Sequence, residues 1–206
     1  MRIGIDIDGV LTDVQQYTVD YFTRYCVQNN IEYNIGESDY ELTKTFNVGK
    51  EIDDDFWYEH IFSYAENQPA RAFAPEVIKK LKKEGHEIYI ITARWLSGKN
   101  DETGERMRNA VEKWLHDNDI NYDKLIFSKL KEYDERKIEN CVSNKIDLMI
   151  EDSPQNITEL STVCPVICFD NSYNKEVEGN NIYRCYSWYD IYNLVNKVLH
   201  EKIITS

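Results

Sequence analysis

Two aspartates near the start of the chain, Asp6 and Asp8, have the type and spacing that metal-assisted phosphate chemistry requires. Carboxylates this close repel each other unless a cation lies between them, and a hard cation such as Mg²⁺ prefers oxygen ligands. A carboxylate can also attack phosphorus and form an aspartyl-phosphate. Gly9 permits a sharp turn past a bound group. The simpler alternative is an ordinary acidic turn after a strand, because Asp and Gly are common turn residues.

Reactive side chains also stand where two later apolar runs end. Thr92 closes the second run, and Glu151 and Asp152 follow the fourth. The carboxyl ends of parallel strands lie on one edge of a sheet, so we expect these side chains to meet the two aspartates. An ammonium group between the third and fourth runs could come from Lys129, Lys131 or Lys137. Two acid pairs, a hydroxyl and an ammonium group are suited to phosphoryl transfer.

Strand and helix patterns alternate along the chain in the way that a doubly wound parallel sheet requires. Apolar, β-branched runs predict strands at 3–11, 87–92, 124–127, 146–150 and 163–169, with an edge strand at 183–185. Helical spacing of apolar residues predicts helices at 14–29, 75–83, 103–117, 133–142, 153–160 and 187–200. The predicted fold class is therefore α/β, a Rossmann-like parallel sheet with right-handed crossovers.

The segment from about residue 30 to 67 interrupts this alternation with short aromatic-rich pieces. Its composition predicts a small helical lobe inserted after the first strand. Phe46, Trp57 and Tyr40 are candidates for stacking on an aromatic ligand. For most of these side chains the alternative is that they form the hydrophobic core of the lobe itself.

Composition limits the classes of partner. The chain has 206 residues, with 24 Lys and Arg against 37 Asp and Glu, a net charge of −13. This balance argues against a protein that holds a nucleic-acid polymer through its phosphates, but a local cation could still bind a small anionic substrate. The odd number of cysteines favours reduced thiols. No apolar stretch approaches the ~20 residues that span a bilayer, so we expect a cytoplasmic protein without a membrane partner.

The motifs resemble those of a known superfamily. The run Asp6-Ile7-Asp8-Gly9-Val10-Leu11-Thr12-Asp13, Thr92, a downstream Lys and Glu151-Asp152 resemble the four motifs of the haloacid dehalogenase superfamily of phosphatases. The first run, the short inserted lobe and Met149-Ile150-Glu151-Asp152-Ser153-Pro154 resemble the 5'(3')-deoxyribonucleotidase family and its bacterial nucleotidase relatives. The sequence departs from that family at Thr92-Ala93-Arg94, where better-known members have Thr-Ser-Pro, and at Glu151, where they have Asp.

The resemblance implies a role for each matching residue. Asp6 would be the nucleophile, Asp8 the general acid and base, and Thr92 the phosphate-holding hydroxyl. Lys137, preferred because it precedes the fourth strand at the start of a helix, would stabilise the charge of nucleophile and phosphate. The implied Mg²⁺ site consists of Asp6, the backbone carbonyl of Asp8, Glu151 and Asp152. The implied domains are a core of residues 1–13 and 73–206 and a helical cap of residues 14–72.

Three functional hypotheses follow. The first is a Mg²⁺-dependent phosphomonoesterase of the 5'-nucleotidase type, acting on nucleoside monophosphates through an aspartyl-phosphate. The second keeps the chemistry but takes a sugar phosphate or another small phosphoester. The third is a non-catalytic domain that binds a cation and interacts with a protein. Arg94 could pair with a substrate phosphate or base edge, or it could be a loop arginine paired with a nearby acid.

Overall fold

A parallel sheet forms the centre of the protein. The structure, a computed structural model, describes residues 1–128 and 137–205. In this part of the chain six strands pair in the order β3-β2-β1-β4-β5-β6, and every pairing is parallel. The strands are β1 Arg2–Ile5, β2 Glu87–Thr92, β3 Lys124–Phe127, β4 Leu148–Glu151, β5 Val166–Phe169 and β6 Ile182–Cys185. The predicted α/β fold class is confirmed.

Helices connect the strands and cover both faces of the sheet. They are α1 Val14–Asn29, α2 Leu42–Phe46, α3 Lys50–Asn67, α4 Ala74–Lys83, α5 Glu102–Asp117, α6 Lys137–Ser143, α7 Pro154–Leu160 and α8 Trp188–Thr205. Alternate residues of the central strands are buried in two separate clusters: Ile88 and Ile90 contribute to one, and Tyr89 and Ile91 to the other. Burial on both faces explains why these strands are almost wholly apolar.

The first strand is shorter than the sequence predicted. β1 ends at Ile5, and the chain then turns tightly, because the N–H groups of Val10, Leu11 and Thr12 all donate to the carbonyl oxygen of Ile7, at 2.9–3.3 Å. Gly9 takes a φ of +79° in this turn, a conformation that side chains disfavour. The apolar residues of the turn are buried, so the apolar pattern there indicated burial and not a strand.

Other boundaries shift for local reasons. The strand predicted from residue 163 begins at Val166, since the N–H groups of Val163 and Cys164 donate to the carbonyl of Leu160 at the end of α7. The predicted edge strand is present as β6. The charged helix predicted from residue 133 is described only from Lys137 onward; the rest of that prediction lies outside the described residues, as do Lys129 and Lys131.

The segment after β1 forms the predicted helical lobe. Its helices α1, α2 and α3 pack around a fully buried aromatic group of Phe22, Phe46 and Phe56. The Asp13 carboxylate caps α1 by accepting the N–H of Gln16 at 3.0 Å. The chain returns to the core where the Arg71 N–H donates to the Leu11 carbonyl at 2.7 Å.

Two further sequence expectations concern cysteines and membranes. All five cysteines are buried as thiols. Within the ranges that the structure describes, none of the helices combines the length and the apolar character that crossing a bilayer needs.

Candidate active site

The ends of three strands place the predicted site residues at one edge of the sheet. Ile5 of β1 pairs with Ile90 of β2 on one side and with Ile150 of β4 on the other. Asp6 and Glu151 lie one residue beyond this row, and Thr92 lies two residues beyond it. Residues nearly 150 positions apart therefore converge, as the strand-end pattern predicted.

The acids form a buried cluster. Carboxylate oxygens of Asp6, Glu151 and Asp152 all lie within 4.8 Å of one another, and these residues are 5%, 0% and 2% exposed. Lys137, also buried, places its Nζ atom 2.7 Å from both Asp6 Oδ1 and Glu151 Oε2. Three carboxylates face one ammonium group, so the cluster carries an excess of negative charge that a further cation would neutralise.

The acidities of the cluster reflect this crowding. Burial, together with the charges of Glu151 and Asp8, raises the pKa of Asp6 to about 7 even though Lys137 opposes the change. Burial and the charges of Glu151 and Asp6 raise the pKa of Asp152 well above its ordinary range. Three converging carboxylates are the donor set that a hard divalent cation prefers, so the residues present fit such an ion.

Neighbouring groups fix the second acid pair in place. Glu151 Oε1 accepts the N–H groups of Asp152 and Ser153, each at 3.1 Å, while Oε2 accepts from Lys137. The Tyr173 hydroxyl donates to Asp152 Oδ2, and Asn174 Nδ2 donates to the Asp152 carbonyl at 2.8 Å. Sequence reasoning missed Tyr173 and Asn174, which lie in a loop without periodicity.

The carboxylate of Asp8 contacts different residues. Arg94 Nε donates to Asp8 Oδ2 at 3.2 Å, Arg94 Nη2 binds Oδ1, and the Tyr64 hydroxyl donates to Oδ1 at 2.8 Å. Burial alone would raise the pKa of Asp8, but Arg94 and Tyr64 lower it below its ordinary value. The proposed metal contact of Asp8 through its backbone carbonyl stays a prediction.

Thr92 stands beside this pair. It is fully buried, and its Oγ1 atom accepts the N–H of Arg94 at 3.2 Å. The Thr92 carbonyl accepts the N–H of Ser128 at 2.8 Å, which fixes the end of β2. The hydroxyl retains its own proton for donation to an anion.

Cavities open between the lobe and the edge of the sheet. One has a volume of about 480 Å³ and a neighbouring one about 320 Å³; both are bordered by Asp8, Tyr40, Lys50 and Trp57. Tyr40 is 57% exposed and Trp57 is partly buried, so both rings can meet a ligand. Phe46 is fully buried against Phe22, with ring centroids 4.7 Å apart. Phe46 nevertheless borders the larger cavity, and its substrate contact stays a prediction.

Comparison with known proteins places these features in a family. The model of the family described as 5' nucleotidase, deoxy (pyrimidine), cytosolic type C protein matches residues 1–202. A nucleotidase of Clostridium acetobutylicum is 28% identical over 203 residues, covering 98% of this chain and 96% of the relative. A protein of Chlorobaculum tepidum named as a predicted 5'(3')-deoxyribonucleotidase is 29% identical over 198 residues, covering 94% and 89%.

A solved structure supports the fold. A haloacid dehalogenase superfamily hydrolase from Ehrlichia chaffeensis aligns with a TM-score of 0.53 and 17% identity, covering 96% of this chain and 97% of that one. At this level of identity the likeness concerns the arrangement of helices and strands.

Proposed function

The chain belongs to the family of 5' nucleotidase, deoxy (pyrimidine), cytosolic type C proteins, which are phosphatases, and from that premise we propose that it is a Mg²⁺-dependent phosphomonoesterase acting on nucleoside monophosphates. The observation that carries the proposal is the convergence of Asp6, Lys137, Glu151 and Asp152 in one buried cluster next to a cavity with aromatic side chains. A small phosphate ester is the class of substrate that this family implies.

The proposed reaction has two steps, each carried out by side chains of this chain. An oxygen of the Asp6 carboxylate attacks phosphorus while the bond from phosphorus to the nucleoside oxygen breaks, and Asp8 in its acid form protonates that leaving oxygen. Asp8, now a carboxylate, takes a proton from water as the water oxygen attacks phosphorus. The bond from phosphorus to Asp6 then breaks, and inorganic phosphate is released.

The metal would be held by the carboxylates of Asp6, Glu151 and Asp152 with the backbone carbonyl of Asp8. Mg²⁺ bound there would neutralise charge on the phosphoryl oxygens. Lys137 provides fixed positive charge next to Asp6, at 2.7 Å. Thr92 would orient the phosphoryl group through its hydroxyl.

The core and the cap would have different roles in the reaction. In this proposal the core, residues 1–13 and 73–206, performs the transfer, and the cap, residues 14–72, covers the base and sugar. Trp57 and Tyr40 border both cavities and are the cap rings available for stacking on a base. The Chlorobaculum tepidum relative, named as a predicted 5'(3')-deoxyribonucleotidase, supports a nucleotide as the substrate.

A substrate panel tests the proposal. Phosphate release is measured with Mg²⁺ for ribo- and deoxyribonucleoside 5'- and 3'-monophosphates and for sugar phosphates of similar size. We expect the highest kcat/KM with a nucleoside monophosphate and loss of turnover in Asp6→Asn, whose folding is checked by circular dichroism. A higher kcat/KM for a sugar phosphate would overturn the choice of substrate. Unchanged turnover in the folded Asp6→Asn variant would overturn the mechanism.

A further inference from the structure

We propose that Trp95 forms the core-side wall of the base subsite, so that the base of a nucleotide lies between this indole ring and the Trp57 ring of the lobe. The inference rests on the proposed function and adds a residue of the core that selects substrates with an aromatic base. The juxtaposition that carries it is one cavity of about 320 Å³ that both rings border. Trp95 lies three residues after Thr92, which would orient the phosphoryl group.

The loop after β2 keeps Trp95 at the cavity while it buries the residues on either side. Arg94 is 4% exposed and Leu96 is 8% exposed, whereas Trp95 is 39% exposed. Leu96 has a φ of +73°, in the left-handed region that side chains disfavour. Such backbone strain persists only where surrounding contacts hold it, and it is frequent at ligand-binding sites. The strained turn therefore marks this loop as a candidate binding segment.

Hydrogen bonds hold the loop around Trp95 in one shape. The Arg94 carbonyl accepts from Ser97 N and Oγ, at 3.1 and 2.6 Å. Arg108 Nη1 donates to the carbonyls of Ser97 and Lys99, at 2.7 and 2.8 Å. A ring on a fixed backbone loses little conformational freedom when it meets a ligand, and this favours affinity.

The indole ring of Trp95 has its face and its N–H group available. Among the residues that the structure describes, no aromatic ring packs on it, and its N–H group donates no hydrogen bond. The exposed rings of Phe73 and Tyr189, in contrast, pack on each other with centroids 5.8 Å apart. A large ring at a cavity without a ring partner is suited to stacking on a flat ligand.

The opposite wall of the cavity is also held in place. The Trp57 ring packs against Phe56 and Tyr64, with centroids 5.1 and 5.8 Å apart. Helix α3, which carries Trp57, is joined to core helix α5, because the guanidinium carbon of Arg106 lies 3.7 Å from the centroid of Phe62. Both walls therefore stand on elements that are anchored to the core, which favours a preformed subsite.

Two competing roles for Trp95 make different predictions. An indole ring that packs on the sugar would contact every pentose phosphate, with or without a base. A ring that only belongs to the surface would contact no substrate, and single exposed aromatic residues are common on proteins. A base-stacking ring affects only those esters that contain a base.

The test compares a nucleoside monophosphate with the pentose phosphate that has the same sugar and phosphate but no base. Steady-state kcat and KM are measured with Mg²⁺ for both substrates. The variants are Trp95→Ala, Trp95→Leu and Trp95→Phe, and circular dichroism checks their folding. The matched control is Tyr189→Ala, because Tyr189 is 42% exposed, close to the 39% of Trp95, and borders neither cavity.

For Trp95→Ala we expect kcat/KM to fall by about 5- to 150-fold for the nucleotide, mainly through a higher KM, and by less than about twofold for the pentose phosphate. Trp95→Phe should recover most of the loss, since its ring can stack. Trp95→Leu should also lose activity on the nucleotide alone, and its apolar bulk keeps the comparison available if Trp95→Ala fails to fold. Tyr189→Ala should change neither substrate.

Three results would overturn the inference while leaving the proposed function intact. An equal loss on both substrates would assign Trp95 to the sugar, and no loss on either would make it a surface residue. A loss in folded Trp95→Phe as large as that in Trp95→Leu would exclude stacking. A wild-type protein that hydrolyses neither substrate, or prefers the pentose phosphate, would instead overturn the proposed function, and the inference with it.

Discussion

Lys137 is the buried cation at the centre of the acid cluster, and its removal should affect both stability and activity. Lys137→Met leaves Asp6 and Glu151 buried without their ammonium partner, which costs about 3–5 kcal/mol of unfolding free energy for a broken buried pair. Urea unfolding in metal-free buffer measures this change, and phosphate release measures the expected loss of turnover. The control is Lys113→Met, since Lys113 is 74% exposed and its pair with Asp117 lies at the surface, where ion pairs contribute little to stability. Equal changes in the two variants would contradict a central role for Lys137.

His86 gives the fold a pH dependence whose sign can be stated. Burial, and then the nearby Met1 ammonium group, lower the pKa of this imidazole below its ordinary value of 6.5. As the pH falls below about 6.5, the unfolded chain takes up a proton that the folded chain resists. The contribution of His86 to the free energy of unfolding should therefore decrease on acidification until His86 is protonated in the folded state as well, whereas the raised pKa of Asp6 acts in the opposite direction.

Urea unfolding at about pH 7.5 and 5.5 checks this expectation, because the interval spans the ordinary titration range of imidazole. Relative to His86→Asn, the wild type should lose free energy of unfolding between the higher and the lower pH. His116→Asn, at a side chain that is 89% exposed, should show the same pH dependence as the wild type. The same pH dependence in wild type and His86→Asn would contradict the assignment.

At the residue scale, the sequence predicted that the acids at the strand ends converge, but it did not predict the tyrosines that hydrogen-bond to acids of the site. Asp6, Glu151 and Asp152 were predictable because each follows an apolar strand, and parallel strands end at one edge. Spacing among the aromatic residues of the lobe does not mark Tyr64, yet its hydroxyl contacts Asp8. Tyr173 follows β5 in a short 3₁₀ turn that no periodic pattern marks. Contacts of this kind depend on how loops and the lobe fold back, which spacing along the chain does not encode.

At the element scale, helix α3 presents Trp57 to both cavities, and this suggests a test of its role in binding. Trp57→Ala should raise KM for a nucleoside monophosphate by a factor of roughly 5 to 150, from the ~1–3 kcal/mol of base–aromatic stacking. KM for a sugar phosphate should not change. Steady-state kinetics with both substrates measure the difference.

The control lies on the neighbouring position of the same helix. Tyr58 is 81% exposed and lines neither cavity, so Tyr58→Ala should leave KM unchanged for both substrates. A parallel increase of KM for nucleotide and sugar phosphate in Trp57→Ala would indicate a distorted lobe, and it would contradict base stacking by this ring.

The predicted elements were accurate where burial and periodicity agree, and inaccurate where they do not. Helix α5 was predicted within one residue because Met107, Val111 and Trp114 recur at helical spacing. β1 was predicted too long, since buried Ile7 and Leu11 belong to a turn that happens to be apolar. An apolar run indicates that a segment is buried, whereas its backbone hydrogen bonds determine whether the segment forms a strand or a turn.

At the scale of the whole molecule, alternation of strands and helices was sufficient to predict the sheet and its parallel pairing. The resemblance to haloacid dehalogenase phosphatases is confirmed by the family match and by the solved hydrolase with the same fold. The sequence did not predict which residues of the lobe and core touch near the site, where Ser172 contacts Ser38 and Tyr173 lies 5.4 Å from Tyr40, centroid to centroid. Those contacts join residues more than 130 positions apart.

The most direct test of the central claim is to locate the phosphoryl group during turnover. Asp8→Asn should slow hydrolysis of the intermediate more than it slows formation of the intermediate from an ester with a good leaving group, so p-nitrophenyl phosphate with Mg²⁺ should load the enzyme. After acid quenching and proteolysis, mass spectrometry should find the mass of one phosphoryl group on the peptide that contains Asp6, and on no peptide of the Asp6→Asn variant. A phosphoryl group on another side chain, or turnover without any phosphorylated peptide, would contradict the account.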